Sequence, residues 1–146
     1  MKRFDYFLFF AVVIIGLLSQ VELAQTKTQN LTAVVSAFAP VYPVVALALD
    51  LQGDFLVDVE IDRNGKVVSS KAVEGTHKLM RKLVELTAER WRFAADQNVE
   101  KRRYAQLTFT FRHMPEAKSI DALTVFYPPY KVEVRSNTKI LITPSY

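Results

Sequence analysis

Residues 57–70 read VDVEIDRNGKVVSS. Apolar and acidic side chains alternate as far as Asp62, then come Asn64-Gly65 and a second apolar run. Period-two alternation marks a half-buried strand. Asn-Gly is a strong hairpin signal, because both central residues of a type I′ turn need φ > 0. The stretch predicts a β-hairpin. Its first strand starts at Asp54, with Phe55, Val57, Val59 and Ile61 on one face and Asp54, Asp58, Glu60 and Asp62 on the other; Leu56 breaks the pattern. A two-residue turn sets Val57, Asp58, Val59 and Ile61 opposite Ala72, Lys71, Ser70 and Val68. A three-residue loop with a bulge at Gly65 is the alternative, and it shifts the register by one.

Downstream, GTHKLMRKLVELTAERWRF carries a helix-period stripe through Leu79, Met80, Leu83, Val84, Thr87, Ala88 and Trp91. Thr76 is the predicted cap. After a polar loop over 96–103, YAQLTFTFRH (104–113) alternates again, with Ala105, Leu107, Phe109 and Phe111 on one face. Upstream, Pro40 and Pro43 punctuate an extended start. VVALALDL then reads as two helical turns with Pro43 at the first position and Gly53 as the stop, or as a buried strand. The order is short helix, strand, strand, helix, strand. That is an α+β domain, a small antiparallel sheet with one main helix packed on one face. The tail adds LTVFY, YKVEVR and TKILIT, divided by Pro128-Pro129 and Ser136-Asn137, which read as two or three further strands with the last pair a hairpin.

The 146 residues suffice for one domain plus extensions, and a net charge of +4 does not demand nucleic acid as partner. With no cysteine, disulfides, thiolate metal sites and thiol nucleophiles are excluded. His77 and His113 are the two histidines, both read as surface residues, and neither has a nucleophile or carboxylate beside it in sequence. No catalytic, cofactor-binding or metal-ligating residue is assigned. The acidic strip Asp54, Asp58, Glu60, Asp62 reads as a solvated strand face partly neutralised by Lys71. Lys101-Arg102-Arg103 reads as a solvated loop, and Trp91 as a core anchor.

Lys2 and Arg3 precede the uncharged run FLFFAVVIIGLL, residues 7–18. Such a run spans ~18 Å as a helix, short of the ~30 Å bilayer core. Residues 1–24 are therefore read as a signal peptide cut after Ala24, with a short N-terminal anchor as the alternative. A signal peptide implies export from the cytoplasm. Residues 25–37 read as a flexible leader, 38–113 as the domain and 114–146 as a β-rich extension.

The residues that close this reading resemble the C-terminal domain of TonB, the periplasmic energy transducer. They are Tyr42-Pro43 with Ala46, Gly53, VDVEIDRNGKV, Gly75, Trp91-Arg92-Phe93 and LTFTF. The resemblance implies an open edge on the last core strand, here Tyr104 to Phe111, along which an extended segment of an outer-membrane transporter lies by strand addition. The partner-binding residues it implies are Tyr42, Pro43, Tyr104, Gln106, Thr108 and Thr110. A long spacer is lacking, since residues 25–40 reach only ~55 Å fully extended. The expectation is a detached binding module with no cofactor. A self-associating envelope protein that dimerises through its edge strand is the alternative. The tail strands are also candidates to pair with the Tyr104–Phe111 edge, against plain extension of the sheet.

Overall fold

The computed structural model describes residues 31–75, 77–98, 100–117 and 123–138. The signal-peptide segment, the Thr76 cap and the TKILIT strand lie largely or wholly outside them. The elements are β1 (Val34–Ser36), α1 (Val44–Ala48), β2 (Gly53–Ile61), β3 (Val67–Ala72), α2 (Lys78–Ala88), β4 (Arg92–Phe93), β5 (Arg103–His113), β6 (Thr124–Tyr127) and β7 (Lys131–Ser136). A five-stranded sheet runs in the order β3-β2-β5-β7-β6, and β1 pairs with β4 in a separate two-stranded sheet. The fold is α+β as expected. The large sheet is mixed rather than antiparallel, because β5 and β7 run parallel.

The hairpin combines both readings of its turn. The Asp62 N–H donates to the Lys66 carbonyl and Gly65 sits at φ 82, so the loop has three residues. The Asp62 carboxylate also accepts from the N–H groups of Asn64 and Lys66. That loop pairs Ile61 with Val67, not with Val68. A bulge at Val68 then restores the expected register, and Val59↔Ser70, Asp58↔Lys71 and Val57↔Ala72 all pair as the two-residue turn required.

The core lies on the inner face of the sheet. Phe55, Val57, Val59 and Ile61 of β2 meet Leu107, Phe109 and Phe111 of β5 there. From α2, Met80, Val84, Thr87 and Ala88 are buried, while Leu79, placed in the stripe by its spacing, is exposed. The helix is capped by His77, whose Nδ1 accepts from the Leu79 N–H at 3.3 Å. Trp91 is fully buried; its Nε1–H donates to the Phe38 carbonyl at 2.8 Å, and its ring meets Phe109 and Phe126 edge-on. Helix α1 is shorter than expected and stops well before Gly53. Asp50 takes φ 49, and the N–H groups of Leu51 and Asp50 return to the carbonyls of Ala46 and Leu47, a Schellman closure.

Part of the expected leader is a strand. Val34 pairs with Phe93, and the Ala94 N–H donates to the Ala33 carbonyl. The Tyr130 hydroxyl accepts from the Thr32 N–H and donates to the Thr32 carbonyl. The chain ahead of α1 is thereby tied to the start of β7. Among the described residues no helix is long and apolar enough to cross a membrane.

Candidate peptide-binding edge

A sheet can accept a foreign strand only where main-chain N–H and C=O groups point outward without a partner. Strand β5 pairs with β2 from Arg103 to Phe111, all but its last two residues. On the other flank β7 pairs with Thr108 to His113 alone. The edge expected from Tyr104 to Phe111 is therefore closed over its C-terminal part. The Thr108 N–H donates to the Tyr130 carbonyl at 2.9 Å, and the Met114 N–H to the Ser136 carbonyl at 2.7 Å. Since alternate residues of a strand turn their main chain the same way, Thr110 also faces β7. Its side chain is buried, with Oγ1 donating to Asp54 at 2.7 Å. By the same alternation Gln106 turns its main chain toward the flank that β7 does not reach. No described strand lies beside Arg103–Leu107 there.

Beside this uncovered stretch the outer face of the sheet holds a groove of about 280 Å³, lined by Asp58, Glu60, Ser69, Lys71, Tyr104 and Gln106 among others. Its charges are internally balanced. Gln106 Nε2 donates to Asp58 at 2.9 Å, Arg102 pairs with Glu60 at 2.7 Å, and Lys71 lies across from Asp58. Asp54 and Asp58 of the acidic strip thus make cross-strand contacts, Glu60 pairs with the loop before β5, and Asp62 holds its own turn. The basic run is structural too, because the Arg103 guanidinium donates to the carbonyls of Asp62 and Ala94 and ties the loop to the strand.

The expected partner residues fall in two places. Tyr104 and Gln106 flank the groove. Tyr42 and Pro43 lie at the opposite end of β5, seven positions or roughly 24 Å away at ~3.4 Å per residue. Tyr42 is only 8% exposed, edge-on to Phe111 at 5.1 Å, and its hydroxyl donates to the Leu51 carbonyl. Burial, with Asp50 adding to it, pushes that hydroxyl's pKa up to about 12. Pro43 caps α1. Both shape the fold locally.

A constellation not visible in sequence sits at the same end. His113, expected at the surface, is half-buried, and its side chain is only 8% exposed. Its Nδ1 lies 2.9 Å from Asp50 Oδ1, and its Nε2 lies 3.0 Å from the Thr138 carbonyl. The hydrogen bond to Asp50, then that to Thr138, raises its pKa against the opposing pull of burial.

The family model described as Gram-negative bacterial TonB protein C-terminal matches residues 39–113, just over half of the chain. The chain belongs to the TonB C-terminal domain family. The match takes in α1 through β5 and ends at the last residue of β5, so the β6–β7 hairpin lies outside it. TonB C-terminal domains are non-enzymatic modules of energy transduction and binding, and the family interacts with outer-membrane transporters. This chain therefore carries a TonB-like, transport-associated domain. It matches no curated protein.

Proposed function

We propose that the protein is an exported TonB-like binding module of the periplasm or cell envelope that takes up an extended segment of a transporter protein by strand addition. The segment pairs along Arg103–Leu107, the part of β5 that β7 leaves uncovered. The supporting observation is the outward main chain of Gln106 next to a groove that Tyr104 and Gln106 help to line. Backbone pairing supplies the affinity and the groove reads the neighbouring side chains. Thr108 and Thr110 spend their main chain on β7, and Tyr42 and Pro43 hold α1 in place. The contact residues of this reading are Tyr104 and Gln106.

A photo-crosslinking side chain placed at Gln106 in cells tests it. An adduct with an outer-membrane transporter is expected, and it should disappear when the transporter's periplasmic N-terminal segment is deleted. Equal crosslinking from Leu86, on the exposed side of α2, would count against a specific edge.

A further inference from the structure

The five-stranded sheet ends in β3 on one side and β6 on the other, and the two edges are built in opposite ways. Strand β3 is defended. The Val73 N–H donates to the Leu56 carbonyl, so Ala72 and Ser70 turn their main chain outward. Glu85 then accepts from the Ala72 N–H at 2.9 Å, and Arg81 donates to the Ala72 carbonyl at 2.6 Å. The Ser70 hydroxyl is engaged by Glu89, and the bulge at Val68 interrupts the rest. Helix α2 thus plugs the edge it passes over.

Strand β6 has none of these guards. Its four residues, TVFY, contain no charge and no proline, and its register against β7 is regular. The Arg135 N–H donates to the Leu123 carbonyl, which fixes the alternation: Val125 and Tyr127 face β7, and Thr124 and Phe126 face outward. Among the described residues nothing pairs with those outward groups. Leu123, Phe126 and Tyr127 are 64%, 40% and 41% exposed. Phe126 is held in place from beneath by Trp91, 6.0 Å between centroids.

We infer that β6 pairs antiparallel with β6 of a second copy of this chain about a two-fold axis at Val125, joining two sheets into one. A two-fold interface must be its own complement, and an uncharged edge meets itself without repulsion. Val125 then faces Val125 of the other copy, and Thr124 faces Phe126 in both directions, with about four main-chain bonds. The groove that could read a foreign peptide lies elsewhere, beside β5. This points to a second copy as the occupant of β6. Four residues bury less than the ~800 Å² per partner of a stable complex, so association rises with concentration.

The test uses the chain as the cell processes it, in mild detergent, by sedimentation velocity over a concentration series. A reversible dimer is expected. Val125→Lys sets like charges directly opposite each other, and Val125→Glu does the same with the other sign. Each variant alone should sediment as a monomer with an unchanged Trp91 near-ultraviolet signal, and an equimolar mixture should regain the dimer. Gln106→Lys, on the β5 flank, should dimerise like the parent. A parent that is monomeric throughout, a dimer indifferent to Val125→Lys, or a mixture that stays monomeric would each overturn the inference. So would loss, in Val125→Lys, of transporter crosslinking at Gln106, because that would assign β6 to the transporter segment.

Discussion

At the scale of single residues, His113 carries the clearest physical consequence. Both of its ring nitrogens face oxygen acceptors, the Asp50 carboxylate and the Thr138 carbonyl. A neutral imidazole has one N–H and can satisfy only one of them. The geometry calls for the imidazolium, in line with the raised pKa. Because the folded-state pKa exceeds the unfolded value of ~6.5, the contribution to stability is complete below that value. It is lost as pH rises through the folded pKa. The Tyr42 ring packs beside it at 6.4 Å and is neutral across this range, so Asp50 is the charge that matters. Proton titration of the His113 ring by NMR should give a midpoint above that of a solvated histidine, and Asp50→Asn should bring it down and flatten the pH dependence of urea unfolding in the neutral range. Gly65 is the second such residue. It sits at φ 82 with the Phe93 N–H on its carbonyl, and a Cβ there would run into the Phe93 carbonyl oxygen. Gly65→Ala therefore adds a backbone clash to a left-handed strain of about 1–3 kcal/mol. Gly53→Ala meets no atom and carries strain alone, so urea midpoints should fall further for Gly65→Ala.

At the scale of elements, the plug on β3 makes its own prediction. Arg81 and Glu85 stand one turn apart on α2, which lets both reach Ala72. Replacing both with Ala returns two main-chain groups to water at a cost of about 1–2 kcal/mol, and it opens an edge that was closed. Thermal unfolding should shift down by a few degrees, and light scattering at high concentration should rise; no change in scattering would show that the bulge at Val68 protects β3 unaided. Sequence alone places both residues on the polar side of the helix and is silent on what they touch. The same division runs through the fold. Strands β2 and β5 were legible because one face of each is buried and period two survives along their length. Strand β4 has two residues, too few for any period, and β1 has three in a segment that reads as polar. YKVEVR reads as a strand beside any neighbour. Its parallel pairing with β5, which closes Thr108 and Thr110, depends on where the β6 turn delivers it. The Asp50–His113 contact was out of reach for the same reason, since 63 positions separate the partners and only the Schellman turn of α1 aims the carboxylate. In the candidate site, alternation shows the strand, the choice of Tyr104 and Gln106 comes from the family resemblance, and the division of the β5 edge has no signal in the sequence.

At the scale of the whole molecule, the family boundary and the physical boundary differ. The match ends at His113, yet the hydrophobic core continues through Tyr130, Val132 and Val134, all buried against the matched part. Val132 pairs with Phe109 and Val134 with Phe111, while the Tyr130 ring packs against Phe93. Tyr130 also clasps Thr32 across 98 positions, so the hairpin holds the start of the described chain as well as the end. Each buried side chain of this size contributes about 1.5–3 kcal/mol, and three of them come to roughly 5–8 kcal/mol. That is comparable to the whole net stability of a small domain, about 5–15 kcal/mol. Deleting residues 116–146 should therefore not release a free-standing TonB-like domain with an open β5 edge. It should yield a chain that loses cooperative unfolding or aggregates through the bared flank from Thr108 to His113. Tyr130→Phe separates the two roles of the hairpin, because it keeps the buried ring and removes only the hydroxyl that holds Thr32. It should lower the melting temperature by a few degrees and raise amide exchange around Thr32 while leaving β5 protected. A truncated chain that melts cooperatively near the parent temperature would show that the hairpin is an appendage and that the core ends where the family match does.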